Sequence, residues 1–212
     1  MICIYAGTTG NQITDDIIQL VILDGAGNIL FNEYFCPENK SLWPCAAAQN
    51  GITPEQLDGK PHFSAFTEQI RDILYDADMI IGYSLFPVLP ILKRNGIIIL
   101  EDSVFDISLS FSEVYGECDS KTGAVRPQNL AVCADYFGCT IIPHGALECA
   151  TAVLYCFYQL SKLLDFIDGL DPELAEYYLF LRATGIDAED LIRAGYGIEE
   201  IHSVVYGKSE IE

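Results

Sequence analysis

Cys3-Ile4-Tyr5-Ala6-Gly7-Thr8-Thr9-Gly10 is the stretch on which the interpretation of this chain turns. Residues 2–6 make an apolar opening strand. After it come Asp15-Asp16 and then residues 17–23, an apolar run of strand length, and Asp24-Gly25-Ala26-Gly27-Asn28 turns the chain into residues 29–35. An apolar run, a Gly-rich turn and a second β-prone run predict a hairpin, with the first three strands as antiparallel neighbours.

Further along, Thr53 is placed to cap a helix, Pro54 suits its first position and Gln56 completes a capping box. Residues 63–77 put Phe66, Ile70, Ile73 and Leu74 on one helical face, and this amphipathic helix feeds a strand at residues 79–82. Strands and helices then alternate: a helix over 89–94 stopped by Gly96, a short apolar segment 97–100, and Val104-Phe105-Asp106. Helices over 128–137, ended by Gly138, and over 146–164 follow. A hairpin followed by alternating α and β segments indicates an α/β domain with a mixed sheet.

Five segments in order resemble the motifs of the DnaQ-like (DEDD) 3′→5′ exonuclease superfamily over residues 1 to about 163. The first strand stands where the family carries Phe-Asp-x-Glu-Thr-Thr-Gly, and Asp16-Ile17-Ile18-Gln19-Leu20 is similar to its second strand. Ala48-Gln49-Asn50-Gly51-Ile52-Thr53 resembles A-x-x-H-G-I-T, with Asn50 in place of His, and residues 82–92 resemble G-[HY]-N-x-x-F-D-x-x-F-L. Asn129-Leu130-Ala131 to Gly138, then His144-Gly145-Ala146-Leu147-Glu148-Cys149-Ala150, are similar to its L-x-x-L-x-x-x-x-G helix and its final H-x-A-x-x-D-A motif. The resemblance implies an RNase H-like fold: a mixed sheet flanked by helices.

It also implies two-metal phosphodiester hydrolysis, in which four carboxylates hold two divalent ions and a histidine helps to deprotonate water. In this chain those four positions fall on Tyr5, Gly7, Val88 and Cys149, and only His144 keeps its family identity. Glycine has no side chain, valine no polar atom, a phenol keeps its proton near neutral pH, and a thiol suits zinc better than Mg²⁺ or Mn²⁺. No metal cofactor is therefore expected; Mg²⁺ or Mn²⁺ would enter only if other acids rebuilt the site. Asp15, Asp16 and Asp106 at strand ends and Glu148 beside Cys149 are the candidates for that role. A nucleophilic Cys149-His144 pair is disfavoured, since five residues apart they straddle more than one helical turn.

Composition argues in the same direction. Eleven Lys+Arg against thirty-one Asp+Glu give a net charge of −20, which opposes a polyphosphate, so nucleic-acid binding is expected to be weak or absent. Backbone N–H groups near Thr8, Thr9 and Gly10 are where the cleft would still hold a nucleotide or a short 3′ end. The eight cysteines form no C-x-x-C pair and read as reduced, mostly buried thiols of a cytoplasmic protein. No charge-free run is long enough to span a bilayer, and the start lacks the basic segment of a signal peptide.

Residues 1–164 are read as the exonuclease-type domain and 165–212 as an acidic helical appendage of two or three short helices. The appendage carries twelve acidic and three basic residues. An unknown protein partner would engage these helices, and imitation of nucleic acid toward a basic partner is a further use of the same charge. Taken together, the sequence points to a DnaQ-like domain without catalysis that serves in binding or scaffolding. The alternative is a metal-dependent 3′→5′ exonuclease working through relocated carboxylates.

Overall fold

A computed structural model describes residues 1–141 and 145–207. Five strands form one mixed sheet: β1 (Ile2–Thr8), β2 (Ile17–Asp24), β3 (Ile29–Tyr34), β4 (Ile80–Gly82) and β5 (Val104–Asp106), in the order β3-β2-β1-β4-β5. The first three strands pair antiparallel, as the hairpin signal requires, and β4 and β5 add in parallel to β1. Asp24 closes the hairpin turn by accepting hydrogen bonds from the backbone N–H groups of Ala26 and Asn28.

Alternation along β1 decides what each residue meets. Ile2, Ile4 and Ala6 join the main core with Ile70 and Leu74 of α2 (Thr67–Tyr75) and with Phe31, Phe35 and Phe63. Phe35 and Phe63 pack edge-on at 5.1 Å between centroids, while Phe31 and Phe35 stack at 6.1 Å. Cys3 and Tyr5 face α6 (Ala146–Asp168): the Cys3 thiol donates to the Ala150 carbonyl at 3.5 Å, and burial pushes that thiol's pKa up to about 12. A bulge at Gly7/Thr8 shifts the register, so that Ile17 enters the main core while Ile18 packs with Trp43, Ile52 and Leu57 in a smaller one.

Several expectations need correction. The capping box at Thr53 and Gln56 forms, yet it starts only one turn of 3-10 helix, Pro54–Leu57. The amphipathic segment from Phe63 opens as a 3-10 turn before α2 begins at Thr67. Residues 97–100 are irregular: Ile97 anchors in the core, but Ile98 and Leu100 are exposed, and among the described residues no strand pairs with them. Two helices went unanticipated, α1 (Pro44–Asn50) and α4 (Ile107–Tyr115). The remaining helices of this region, α3 (Leu89–Arg94) and α5 (Leu130–Tyr136), lie where expected.

The chain divides into two compact units, Met1–Phe111 with Pro127–Gln159, and Ser112–Arg126 with Leu160 onward. The second unit therefore draws on a mid-chain segment as well as the C-terminal helices α7 (Pro172–Ala183), α8 (Glu189–Arg193) and α9 (Ile198–Tyr206). Asp171 caps α7 by accepting from the Leu174 N–H. Inside this unit Tyr178, Leu181, Ile192 and Ile201 are buried, Phe166 meets Tyr178 edge-on at 5.1 Å, and the Arg193 guanidinium lies 4.8 Å from the Phe166 ring centre. Among the described residues no helix is long and apolar enough to cross a membrane.

Candidate functional site

The cleft-facing residues of β1 and the first turns of α6 bring Tyr5, Gly7 and Cys149 to one cavity of about 300 Å³. Tyr5 and Cys149 are close enough there to shift each other's ionisation. Burial first, then the neighbouring Cys149, raises the Tyr5 pKa well above that of a free phenol. Cys149 is also raised: burial and the Glu148 charge push it up, and the Tyr5 contact only partly offsets them. A protonated phenol and a protonated thiol thus stand at two positions where the family motif has carboxylates.

Val88 does not join them. It sits at the start of α3, 7% exposed, within the apolar core, and is not among the residues lining the cavity. His144 lies outside the described residues, and so does the Cys149-His144 pair. Asn50, at the histidine position, spans the end of α1 and the end of β1: its side-chain N–H donates to the Thr8 carbonyl, and its oxygen accepts from the Ile52 N–H. Gly51 ends α1 at φ 72°, a left-handed conformation natural to glycine.

The candidate replacement acids are all otherwise engaged or exposed. Asp15 accepts from the Gln12 N–H and the Thr9 hydroxyl and pairs with Lys40. Burial would raise its pKa, but Lys40, Gln12 and Thr9 outweigh that and hold the carboxyl below the usual range. Asp16 binds the backbone and side chain of Asn39 and the Arg94 guanidinium. Asp106 accepts from the Ser84 and Leu85 N–H groups and from the N–H and hydroxyl of Ser108. Glu148 is exposed and folds back over Gly145. Among the described residues no group of three or more His, Cys, Asp or Glu is arranged to hold a metal ion.

The Thr8-Thr9-Gly10 segment is also committed within the chain. The Thr9 N–H donates to the Asp16 carbonyl, its hydroxyl accepts from the Asp16 N–H, and Thr9 is 2% exposed. At Gly10 a Cβ would fall 2.8 Å from the Asp15 carboxyl carbon, so glycine permits that close approach.

The rest of the cavity combines carboxamides, Gln19, Gln49, Asn50 and Asn129, with apolar groups such as Leu130 and Ala146; no charged side chain lines it among the described residues. Sequence reasoning missed Gln19. It sits directly opposite Gly7 in the β1/β2 register and is 4% exposed. A lone polar residue in the apolar run 17–23 was the available signal, since a buried polar group is more informative than any buried aliphatic one.

The five-strand order, with an antiparallel β3-β2-β1 set extended by two parallel strands and flanked by helices, now has clear counterparts among solved structures. The fold is that of the DEDD exonucleases. E. coli exonuclease I in complex with a dT13 oligonucleotide superposes with a TM-score of 0.61 at 18% identity, over 79% of this chain and 43% of that one. The nuclease domain of 3′hExo, a DEDDh family member bound to rAMP, gives 0.54 at 18% identity over 77% and 91% of the two chains. The pseudoubiquitin hydrolase-RNA exonuclease module of Saccharomyces cerevisiae Pan2, in complex with AAGGAA RNA, gives 0.58 at 16% identity over 77% and 29%. This chain thus spans less than half the length of exonuclease I. No family model and no curated protein matches the sequence.

Proposed function

We propose that this is a DnaQ-like domain that binds through its cleft without hydrolysing phosphodiester bonds. The observation that carries the reading is the cavity at Tyr5, Gly7 and Cys149, which no charged side chain lines among the described residues; these are three of the four positions where the family resemblance calls for metal-binding acids. Hard divalent ions need anionic oxygens held in fixed geometry, and a protonated phenol, a hydrogen atom and a thiol do not supply them. The fold itself favours a polymer-binding ancestry for the cleft, while the −20 charge disfavours tight retention of a polyphosphate.

The test is degradation of 3′-labelled single-stranded DNA and RNA in Mg²⁺ and in Mn²⁺ at micromolar protein, with His144→Ala purified in parallel to expose contaminating nuclease. The expected result is no degradation above that control. Cleavage by the wild type that the variant lacks would overturn the reading and establish a metal site built from relocated acids.

A further inference from the structure

Gln19 is buried in the wall of the cleft without a side-chain partner among the described residues. It is 4% exposed, and its carboxamide makes no hydrogen bond to any described residue. Among the described residues no fully shielded side-chain nitrogen or oxygen lacks a partner. The Gln19 carboxamide must therefore reach open space, and the open space that Gln19 lines is the cavity. Gly7 makes the room: a Cβ there would already stand 3.4 Å from the Gln19 Cβ and 3.2 Å from the Ile52 Cδ1, so a larger residue would crowd the ground in front of the amide.

We propose that this cavity takes an uncharged, planar group presenting a hydrogen-bond donor beside an acceptor, with Gln19 as the side chain that reads it. The proposal rests on the reading that the cleft binds without cutting. A glutamine offers one acceptor oxygen and one NH₂ donor side by side, so its complement is an edge with the same two functions in register. Two kinds of small molecule carry that edge, a nucleobase and a carboxamide, and glutamine is known to read adenine in this bidentate way.

The remaining walls select against charge. No cation lines the cavity among the described residues, so a phosphate or carboxylate entering it would give up water for neutral donors and no described charged partner. Leu130 and Ala146 provide apolar surface and Tyr5 an aromatic ring, which suits a flat heterocycle or aromatic amide. At about 300 Å³ the space is at the small end of ligand pockets, room for a nucleoside or a single ring rather than an oligomer.

The experiment is isothermal titration of the full chain with adenosine, nicotinamide and AMP in EDTA, repeated with Gln19→Leu. Leucine is close to glutamine in size and removes the unpartnered polar group, so this variant should melt no lower than the wild type, and its melting curve verifies the fold. Adenosine or nicotinamide should bind without metal, and Gln19→Leu should weaken that binding roughly tenfold or more, as loss of a bidentate contact predicts. AMP should bind several-fold more weakly than adenosine. Which neutral probe binds more tightly assigns the edge to a nucleobase or to a carboxamide. The inference falls if neither neutral probe binds at millimolar concentration, if Gln19→Leu binds them equally well, or if AMP binds best. Such a failure with no nuclease activity would leave the non-hydrolytic reading standing, whereas nuclease activity would remove that reading itself.

Discussion

Tyr5 of β1 and Cys149 of α6 line one cavity and shift each other's ionisation, at two positions where the family resemblance puts carboxylates. Two acids facing each other repel and need cations between them; a phenol and a thiol attract and need none. The contact also sets the reactivity of the thiol. Burial raises the Cys149 pKa and Tyr5 opposes the rise, so Cys149 should be alkylated slowly by iodoacetamide at pH 8 and faster as pH increases. Tyr5→Phe should slow the reaction further at each pH, because the donor that favours thiolate is gone. Site-resolved mass spectrometry follows this against the exposed Cys45 and Cys118.

Gly7→Glu restores an acid to the cleft and should destabilise the domain by roughly 2–3 kcal/mol at pH 7, through crowding of Ile52 and Gln19 and burial of an unpaired carboxylate. Burial raises the folded-state pKa of such a group. The electrostatic part of the loss should therefore vanish below the unfolded pKa and grow as pH rises through the folded one. Thermal denaturation of variant and wild type, compared at pH 4 and pH 7, reads the difference.

Asp15 is held below its ordinary pKa, so its contribution to stability is present above the unfolded value of about 3.9 and is lost as pH falls through the lower folded value. Asp15→Asn should cost about 1–3 kcal/mol at pH 7, where Lys40 and the Gln12 N–H lose a charged acceptor. The gap between variant and wild type should narrow only in strongly acidic buffer. Urea unfolding across pH 2 to 7 provides the check.

Asp106 ties the end of β5 to the turn after β4, where Ser84 is held at φ 56°. Asp106→Ala should cost about 3 kcal/mol by stranding several N–H donors in a buried place. Ser84→Gly should be neutral or stabilise by up to ~1 kcal/mol, since glycine occupies left-handed backbone without strain. Opposite signs from two residues in direct contact, measured by chemical denaturation, would confirm the clamp.

In the helical unit, burial pushes the Tyr178 pKa up to about 12, with Arg182 pulling it down and Asp187 up. A raised value favours the protonated phenol in the folded state. Its stabilisation is complete below the unfolded pKa near 10 and is lost as pH climbs through 12. Tyr178→Phe should cost about 1 kcal/mol at pH 7 and should reduce the alkaline loss of helical signal relative to wild type between pH 10 and 12, followed by circular dichroism.

Where sequence and structure agree, the reason is local. The β1-β2-β3 set follows from strand-length apolar runs joined by a Gly-rich turn, and Asn129 and Asp171 begin α5 and α7 as side-chain caps. Pro44–Asn50 escaped because Ala-rich residues show no apolar period and the helix has no side-chain cap. Ile107–Tyr115 escaped because Ile107, Leu109 and Phe111 alternate with serines like a strand. Residues 97–100 are apolar enough for a strand, but a strand needs a partner edge, and pairing is not written in a single segment. The same limit applies to the cleft. Tyr5, Gly7 and Cys149 were legible by motif, whereas the burial of Val88 in the core and the emergence of Gln19 opposite Gly7 depend on register and on which face a residue takes.

Because neighbours on β1 look in opposite directions, Ile2, Ile4 and Ala6 answer to the core and Tyr5 and Gly7 to the cleft. The two sets are interleaved in sequence and separated in space by the thickness of the backbone. A library randomised at 5, 7 and 19 would thus explore ligands while leaving the Ile2-Ile4-Ala6 surface untouched. New recognition chemistry can be written on this scaffold one face at a time, with the sheet itself acting as the partition between what the molecule is and what it holds.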